Sequence, residues 1–317
     1  MAERKKEMKA MQKKKGKLEP VAPGAGKFWD IQHFRYLSQL GIVIFIAVVF
    51  TLKQIIGEAN SASPEAFCPL GGFETIYYSI VNGGKFVQHT HLSNVVLFVS
   101  LMISVVAAGA FFCGWICPLG SIQQAVTGLR RWLQKRIGLF DRFGKWLSAK
   151  TKPLAVLDRW LKYAKYLVLL WIIWGTITTG TMVFRDVDPW AGILNILESG
   201  ITVGFWIFIA TAVAALIGDR VWCRYLCPLG AINGLVGKIG FMRVQREADS
   251  CIGCKLCTKN CPMRIQVHEK GRVISSECNM CLKCVDVCPA PGALETRLCL
   301  PIAKKGPSNK REVAANE

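Results

Sequence analysis

The sequence predicts a mainly α membrane protein: four transmembrane helices arranged as two parallel two-helix repeats, followed by a small C-terminal α+β domain. Three observations predict it. The 317-residue chain is 52% hydrophobic with a mean hydropathy of +0.32, which prompts a search for membrane spans. Four apolar runs each approach the ~20 residues that a helix needs to cross a bilayer. Lysine and arginine are concentrated in alternate connecting segments.

Taken in order, residues 1–35 are lysine-rich (KKEMKAMQKKKGK) and hold no apolar cluster, so they read as a basic cytoplasmic tail. The first span covers 36–56. It reads as a retained anchor, because the charged stretch before it is far longer than a signal peptide carries. The remaining spans cover 93–112, 163–184 and 201–218, and the membrane domain closes near residue 245. Segments 121–147 and 231–243 mix Trp or Phe with Lys and Arg at helical spacing, as amphipathic helices on the inner membrane surface do. Residues 246–298 form the cysteine-rich domain, and 299–317 read as a flexible tail.

Charge sets the orientation. Lys and Arg number ten in residues 1–35, one in 57–92, ten in 113–162, one in 185–200 and sixteen in 219–317. Both termini are therefore expected on the cytoplasmic side, with two short external loops. The net charge of +19 would suggest nucleic acid in a soluble protein. Here topology accounts for it, membrane lipid is the expected partner, and nucleic acid is not.

The two halves repeat. Cys113 and Cys223 are 110 residues apart, as are Cys117 and Cys227. Each half reads span, external loop, span, CxxxCPLG (FCGWICPLG and WCRYLCPLG). The loops correspond loosely, with Cys68-Pro69 matching Asp188-Pro189. Two spans per unit give both halves the same orientation, so the pseudo-twofold axis runs along the membrane normal and brings the two cysteine pairs together on the cytoplasmic side.

Fourteen cysteines in short-range clusters argue for metal rather than disulfides. CIGCKLCTKNCP (251–262) and CNMCLKCVDVCP (278–289) both read C-x2-C-x2-C-x3-C-P, the bacterial two-[4Fe-4S] ferredoxin signature. Three thiolates of each motif hold one cubane, and the fourth reaches across to the other. One cluster is thus assigned Cys251, Cys254, Cys257 and Cys288. The second is assigned Cys278, Cys281, Cys284 and Cys261. Cys299 lies outside the pattern and reads as a plain apolar residue.

Cys113, Cys117, Cys223 and Cys227 stand apart. At i and i+4 each pair shares a helix face if the helix continues through it, and the following proline and glycine end that helix. Three readings stay open: four thiolates around a further iron–sulfur centre or metal, redox-active dithiols that bind Cu(I), or small buried residues beside a turn. Cys68, single and external, reads as structural or as an accessory ligand. An electron wire in a membrane needs a membrane donor, and quinol is the most available. Candidates for a quinol site on the external side are Glu74, His89, His91, Arg185, Asp186 and Asp188. His33 lies beside the tail, and His268, between the cluster motifs, reads as exposed.

Four spans, two CxxxCP turns and a C-terminal double [4Fe-4S] module, over about residues 36–295, resemble the NapH/MauN type of ferredoxin-like membrane protein. These are quinol dehydrogenase subunits of periplasmic nitrate reductase systems and their relatives. The resemblance implies a multi-pass protein of the bacterial inner membrane and a component of a quinol dehydrogenase complex. It would pass electrons to a partner iron–sulfur, cytochrome or reductase subunit. The family's ligands carry over as the eight ferredoxin cysteines and the four CxxxCP cysteines. The wider group includes regulators of nitrous oxide reduction and maturation proteins of copper oxidases. The alternatives are therefore a copper-reducing assembly factor, or an anchor and relay without its own quinone site.

Overall fold

The computed structural model describes residues 31–56, 68–83, 92–136, 158, 160–194, 200–248 and 250–299. Most of the two expected tails, together with His89 and His91, lies outside the described residues. The first helix, α1 (Ile31–Ile56), begins five residues before the span expected at 36. The cause is a buried polar stripe at i, i+3 and i+7: Gln32, Arg35 and Gln39 face the rest of the protein. The opposite face carries Leu37, Leu40, Ile44, Phe45 and Val48, all exposed.

Among the described residues one stretch, Ile31–Leu52, is long and apolar enough to cross a membrane. Three shorter apolar helices follow: α3 (Leu92–Ala108), α6 (Ala164–Thr179) and α8 (Val203–Ala215). They are shorter than the apolar runs that contain them because local stops intervene. Gly109 at φ +71° follows α3, and Gly180 at φ +67° caps α6, the left-handed conformation that closes helices. Residues beyond the stops enter a 3-10 segment (Val183–Asp186) and the short helix α4 (Phe111–Trp115). All three keep large apolar side chains exposed, among them Ile103, Trp171, Trp174 and Trp206.

The element order recurs. Helix α2 (Pro69–Val81) precedes α3, which leads through α4 into α5 (Pro118–Arg136). Helix α7 (Pro189–Leu194) precedes α8, which leads through α9 (Val221–Tyr225) into α10 (Pro228–Val236). Of the amphipathic segment expected at 121–147, α5 covers the part to Arg136 and residues 137–147 lie outside the described residues; of that expected at 231–243, α10 ends at Val236 and a strand begins at Met242. Close backbone contact recurs as well. A Cβ on Gly72 would overlap the carbonyl of Asn94, and one on Gly192 would overlap the backbone of Gly204. Asn94 and Gly204 themselves differ by the repeat length of 110. Between the halves lies a core of Leu70, Phe98, Leu169, Ile172, Phe184 and Trp222.

The C-terminal domain has its own core, with Val244, Met263, Val267, Val273 and Met280 at its centre. Its ends are tied by a two-stranded antiparallel sheet, β1 (Met242–Arg246) on β2 (Leu294–Leu298), with Met242 opposite Leu298. Two single-turn helices, α11 (Leu256–Lys259) and α12 (Lys283–Asp286), follow the two cysteine turns.

The domain docks through the carbonyls of three successive residues. Cys281 O accepts from Gln32 Nε2 at 3.0 Å and from Arg35 Nη1 at 3.1 Å. Met280 O accepts from Trp115 Nε1 at 2.9 Å. Asn279 O sits on Gly114, where a Cβ would overlap it. Gln39 Nε2 donates to Gly114 O at 2.9 Å, so α1 clamps both sides of the joint. A buried ion pair completes it: Lys165, 1% exposed, meets Glu277 Oε1 at 2.7 Å. Replacing Gly114 with leucine should separate the two surfaces while leaving each core intact. Overpacking of this kind costs about 1–3 kcal/mol. Hydrogen exchange at the amides of 279–282 should therefore accelerate by roughly 5- to 150-fold.

Candidate metal centres

In the C-terminal domain both cysteine motifs adopt one backbone form, 27 residues apart (278 − 251). Left-handed residues stand at Gly253 and Lys255 in the first, and at Met280 and Leu282 in the second. Such residues turn the chain sharply, so that alternate side chains and amides converge on one point. The fourth cysteine of each motif leaves its own loop. Cys288 lies within electrostatic reach of Cys254, Cys257 and Cys251. Cys261 lies within reach of Cys281, and Cys284 senses Cys281, Cys278 and Cys261. By electrostatic reach Cys288 stands beside the first motif and Cys261 beside the second, while Cys284 also senses Cys257, so the two motifs lie against each other.

Burial pushes the Cys278 thiol up to about 12, and charge on Cys281 and Cys261 adds to the rise. The Cys278 sulfur is a poor thiolate until iron displaces its proton. Arg246 Nη1 lies 3.5 Å from Cys251 Sγ and supplies a donor there. Cysteines that range from buried Cys257 and Cys281 to exposed Cys254, on two turns of the same form, suit a [4Fe-4S] core near the domain surface.

The CxxxCP cysteines form a second group, and here one expectation is corrected. Each pair does not lie on one continuous helix. Cys113 is in α4 and Cys223 in α9, but both helices stop two residues before the next cysteine, at Trp115 and Tyr225. Cys227 is extended at φ −68°, ψ 114°, and caps α10. The proline after it begins a helix rather than ending one, because its fixed φ and missing N–H suit the first helical position. Cys227 Sγ accepts from Gly230 N at 3.3 Å. The four sulfurs nevertheless come together. Cys227 senses Cys223, Cys113 and Cys117, and Cys117 senses Cys223 and Cys113.

Two amides that the sequence reading passed over are exchanged between the halves. Asn233 Nδ2 donates to Cys113 Sγ at 3.2 Å. Gln123 Nε2 donates to Cys223 Sγ at 3.5 Å, while its Oε1 accepts from Trp222 N at 3.2 Å and fixes which way the amide points. Each stands ten residues after the cysteine of its own half and serves the cysteine of the other. Their 110-residue separation was the available signal. Arg220 is held at φ +49° and is 2% exposed. Its guanidinium donates to Cys113 O at 2.6 Å and to Gln124 Oε1 at 3.2 Å. Arg220 and Lys165 both lie within electrostatic reach of Cys113 and Cys223. Four thiolates with amide donors and two nearby cations fit a buried anionic centre. Among the described residues no three His, Cys, Asp or Glu side chains are placed to hold a metal ion directly.

Of the other singled-out residues, Asp188 and Glu74 lie within electrostatic reach of Cys68. Cys68 precedes α2, and Asp188 precedes α7, where its Oδ1 accepts from Trp190 N at 3.0 Å. Glu74 is fully buried on α2 with neither oxygen hydrogen-bonded. Arg185 and Asp186 lie in the 3-10 segment, with Asp186 exposed. His33 is exposed on α1. His268 is half-buried rather than exposed, its Nδ1 2.9 Å from Thr258 Oγ1. Cys299 is half-buried and its thiol faces Gln245 Oε1 at 3.7 Å.

A family model described as a 4Fe-4S binding domain matches residues 90–139 and 201–246, one CxxxCP turn in each stretch. A 4Fe-4S dicluster domain model matches 243–289. YccM of Escherichia coli is 29% identical over 288 residues, covering 85% of this chain and 75% of that protein. The ferredoxin-type protein NapH of Haemophilus influenzae is 28% identical over 204 residues, 61% of this chain and 63% of NapH. The regulatory protein NosR of Pseudomonas aeruginosa is 33% identical over 183 residues, 55% of this chain but 23% of NosR. No solved structure matches.

The crossing of the fourth cysteines has a direct test. Cys261→Ala should perturb the iron signal of the set it joins in space, with Cys278, Cys281 and Cys284, and leave the other set unchanged. EPR of the reduced protein, read against Cys278→Ala and Cys251→Ala, checks this. Loss of the signal that Cys251→Ala removes would contradict it.

Proposed function

We propose that this chain, an iron–sulfur electron-transport protein of the NapH-related ferredoxin type, is a membrane subunit that carries electrons between the quinone pool and a partner redox protein. The observation that carries this reading is the joint itself. The loop 279–281 of the second cysteine motif rests on the CxxxCP turn with no intervening layer. Electrons at one set of sulfurs thus have a short packed path to the other. Bound [4Fe-4S] groups supply one-electron transfer; the chain holds them, orients them and shields them from water.

We read the membrane part as four spans in two parallel repeats with both termini cytoplasmic. The exposed apolar faces of α1, α3, α6 and α8 support this, as does the two-part family match. In this reading the ferredoxin domain holds two clusters, through the eight cysteines named above. The CxxxCP cysteines hold a further iron–sulfur centre. The exchanged amides favour that over a structural role, because a buried N–H aimed at sulfur stabilises a thiolate. Electrons leave through the ferredoxin domain to a partner iron–sulfur, cytochrome or reductase subunit, as in a quinol dehydrogenase complex. The copper-reducing assembly factor remains the second reading, since the same soft thiolates suit Cu(I).

Two measurements test this. Anaerobic protein with intact clusters, mixed with a short-chain quinol, is expected to bleach near 400 nm and to develop EPR signals (roughly the range common to such clusters). Clusters reducible by dithionite but never by quinol would refute the quinol reading. Asn233→Leu removes one donor from Cys113 Sγ and should lower the potential of the membrane-side centre. A loss of about 1 kcal/mol corresponds to ~40 mV for one electron. An EPR-monitored redox titration reads the shift, and the ferredoxin clusters serve as internal controls.

A further inference from the structure

Of the external residues considered for a quinol site, Glu74 and Asp188 lie within electrostatic reach of Cys68, and His89 and His91 lie outside the described residues. A cavity lies elsewhere, on the side of the two cysteine systems. It has a volume of about 500 Å³ and opens between α1 and α5. Arg35, Leu40, Ile122, Gly128, Asp219 and Arg220 are among its walls. Its size falls within the ~300–1,000 Å³ typical of sites for small organic ligands.

We infer that this cavity binds the ring of a lipid-soluble quinone, between the CxxxCP centre and the ferredoxin domain. The inference rests on the electron-carrier reading above and gives its membrane substrate a location. Three observations carry it.

The first is contact with both redox systems. Arg220 holds the carbonyl of Cys113, and Arg35 holds the carbonyl of Cys281. Pro262 and Lys283, also in the wall, are the sequence neighbours of Cys261 and Cys284. A ring seated there is next to the ligand backbones of both.

The second is an unmet set of polar atoms. The Nε groups of Arg35 and Arg220 are buried and have no hydrogen-bond partner, although other nitrogens of both guanidiniums are engaged. Buried donors without acceptors are costly, and each such group calls for an explanation. Two ring carbonyls supply two acceptors. Asp219 Oδ1 has no hydrogen-bond partner and only an ion pair with Arg130 Nη2 at 3.8 Å, while Oδ2 meets Arg131 Nη2 at 2.5 Å. It offers an acceptor for a ring hydroxyl. An anionic headgroup suits the cavity less well. Three of its cations, Arg35, Arg131 and Arg220, are already bound to carbonyl, carboxylate or amide oxygens.

The third is the route in. The mouth lies on the face of α1 where Tyr36, Leu40 and Val43 are exposed, so an isoprenoid tail can run along apolar surface. A quinol in the cavity would lose two electrons and two protons to become quinone. The electrons leave one at a time, each reducing one oxidised iron–sulfur centre. One proton passes to the Asp219 carboxylate and the other to water.

The test separates binding from turnover. The oxidised full-length protein in nanodiscs is photolabelled with a short-chain azidoquinone, and labelled peptides are mapped. Quinol-driven cluster reduction is followed in parallel. Label is expected in peptides spanning 31–45 and 118–131, and excess unlabelled quinone should displace it. A Cβ on Gly128 meets nothing within 4 Å, so Gly128→Ala should label normally. Gly128→Trp should fill the space and reduce labelling by about tenfold, with unchanged EPR of the dithionite-reduced clusters as proof of folding. Displaceable label confined to other segments overturns the assignment even when quinol reduces the clusters. So does the absence of displaceable label, or label that Gly128→Trp leaves intact. Label in this cavity without quinol-driven reduction upholds the site and refutes the electron-carrier reading instead.

Discussion

The structure depends on how the carbonyls of Asn279, Met280 and Cys281 are received. Left-handed residues at Met280 and Leu282 shape this stretch so that its carbonyl oxygens face outward. A buried carbonyl must find a donor or lose the hydrogen bonds it had in water. The membrane-side elements supply what is needed: an indole N–H, an amide and a guanidinium. At Asn279 they supply an absence of side chain, Gly114. The loop that carries cluster cysteines is thereby fixed against the turn that carries the CxxxCP cysteines. Neither surface would be complete alone, which makes α1 more than an anchor. Its polar stripe satisfies the loop at Gln32 and Arg35 and the turn at Gln39.

The duplicated architecture has a consequence at the cysteines. Each half brings a pair of thiols and one amide, but the amide is directed at the other half's sulfur. A single half would leave its first cysteine without that donor. The arrangement makes the amide donor to each first cysteine depend on the association of the two halves. Departures from symmetry are also informative. The residue before α9 is Arg220, strained at φ +49°, while its counterpart Ala110 is at φ −71°. Only one half therefore directs a guanidinium across the junction. Strain of this kind, of order 1–3 kcal/mol, persists where surrounding contacts over-determine it. Here the contacts are the Cys113 carbonyl and Gln124.

Much of this was legible in the sequence where chemistry imposes spacing. The x2, x2, x3-Pro pattern grouped Cys261 and Cys288 with the opposite motif, and each lies within electrostatic reach of a cysteine there. Apolar runs located the principal helices, because burial or lipid demands uninterrupted hydrophobicity. The helix stops were harder to read. Gly109 and Gly180 cut the runs at 108 and 179, and glycine within an apolar run does not announce its φ. The break inside CxxxCP was misread because proline both ends and begins helices; only the extended conformation of the preceding cysteine decides which. Gln32, Arg35, Gln39, Gln123 and Asn233 went unnoticed for a different reason. A polar residue beside a span looks interfacial until a partner more than 70 residues away is known.

The buried charges at the joint answer an electrostatic problem that cysteine clusters create. Thiolate-ligated iron–sulfur centres are anions in a low-dielectric setting, and an isolated buried charge is expensive. Lys165 and Arg220 lie within reach of Cys113 and Cys223, and both are almost wholly buried. Lys165 also meets Glu277, one residue before Cys278. A buried pair of this kind contributes little net stability, since desolvation offsets attraction. Its value here is positional. The ammonium sits between a carboxylate of the ferredoxin loop and the sulfurs of the CxxxCP turns, so both cysteine groups share one fixed cation. A charge placed on either group would change the field at that cation and so be felt by the other without any moving part.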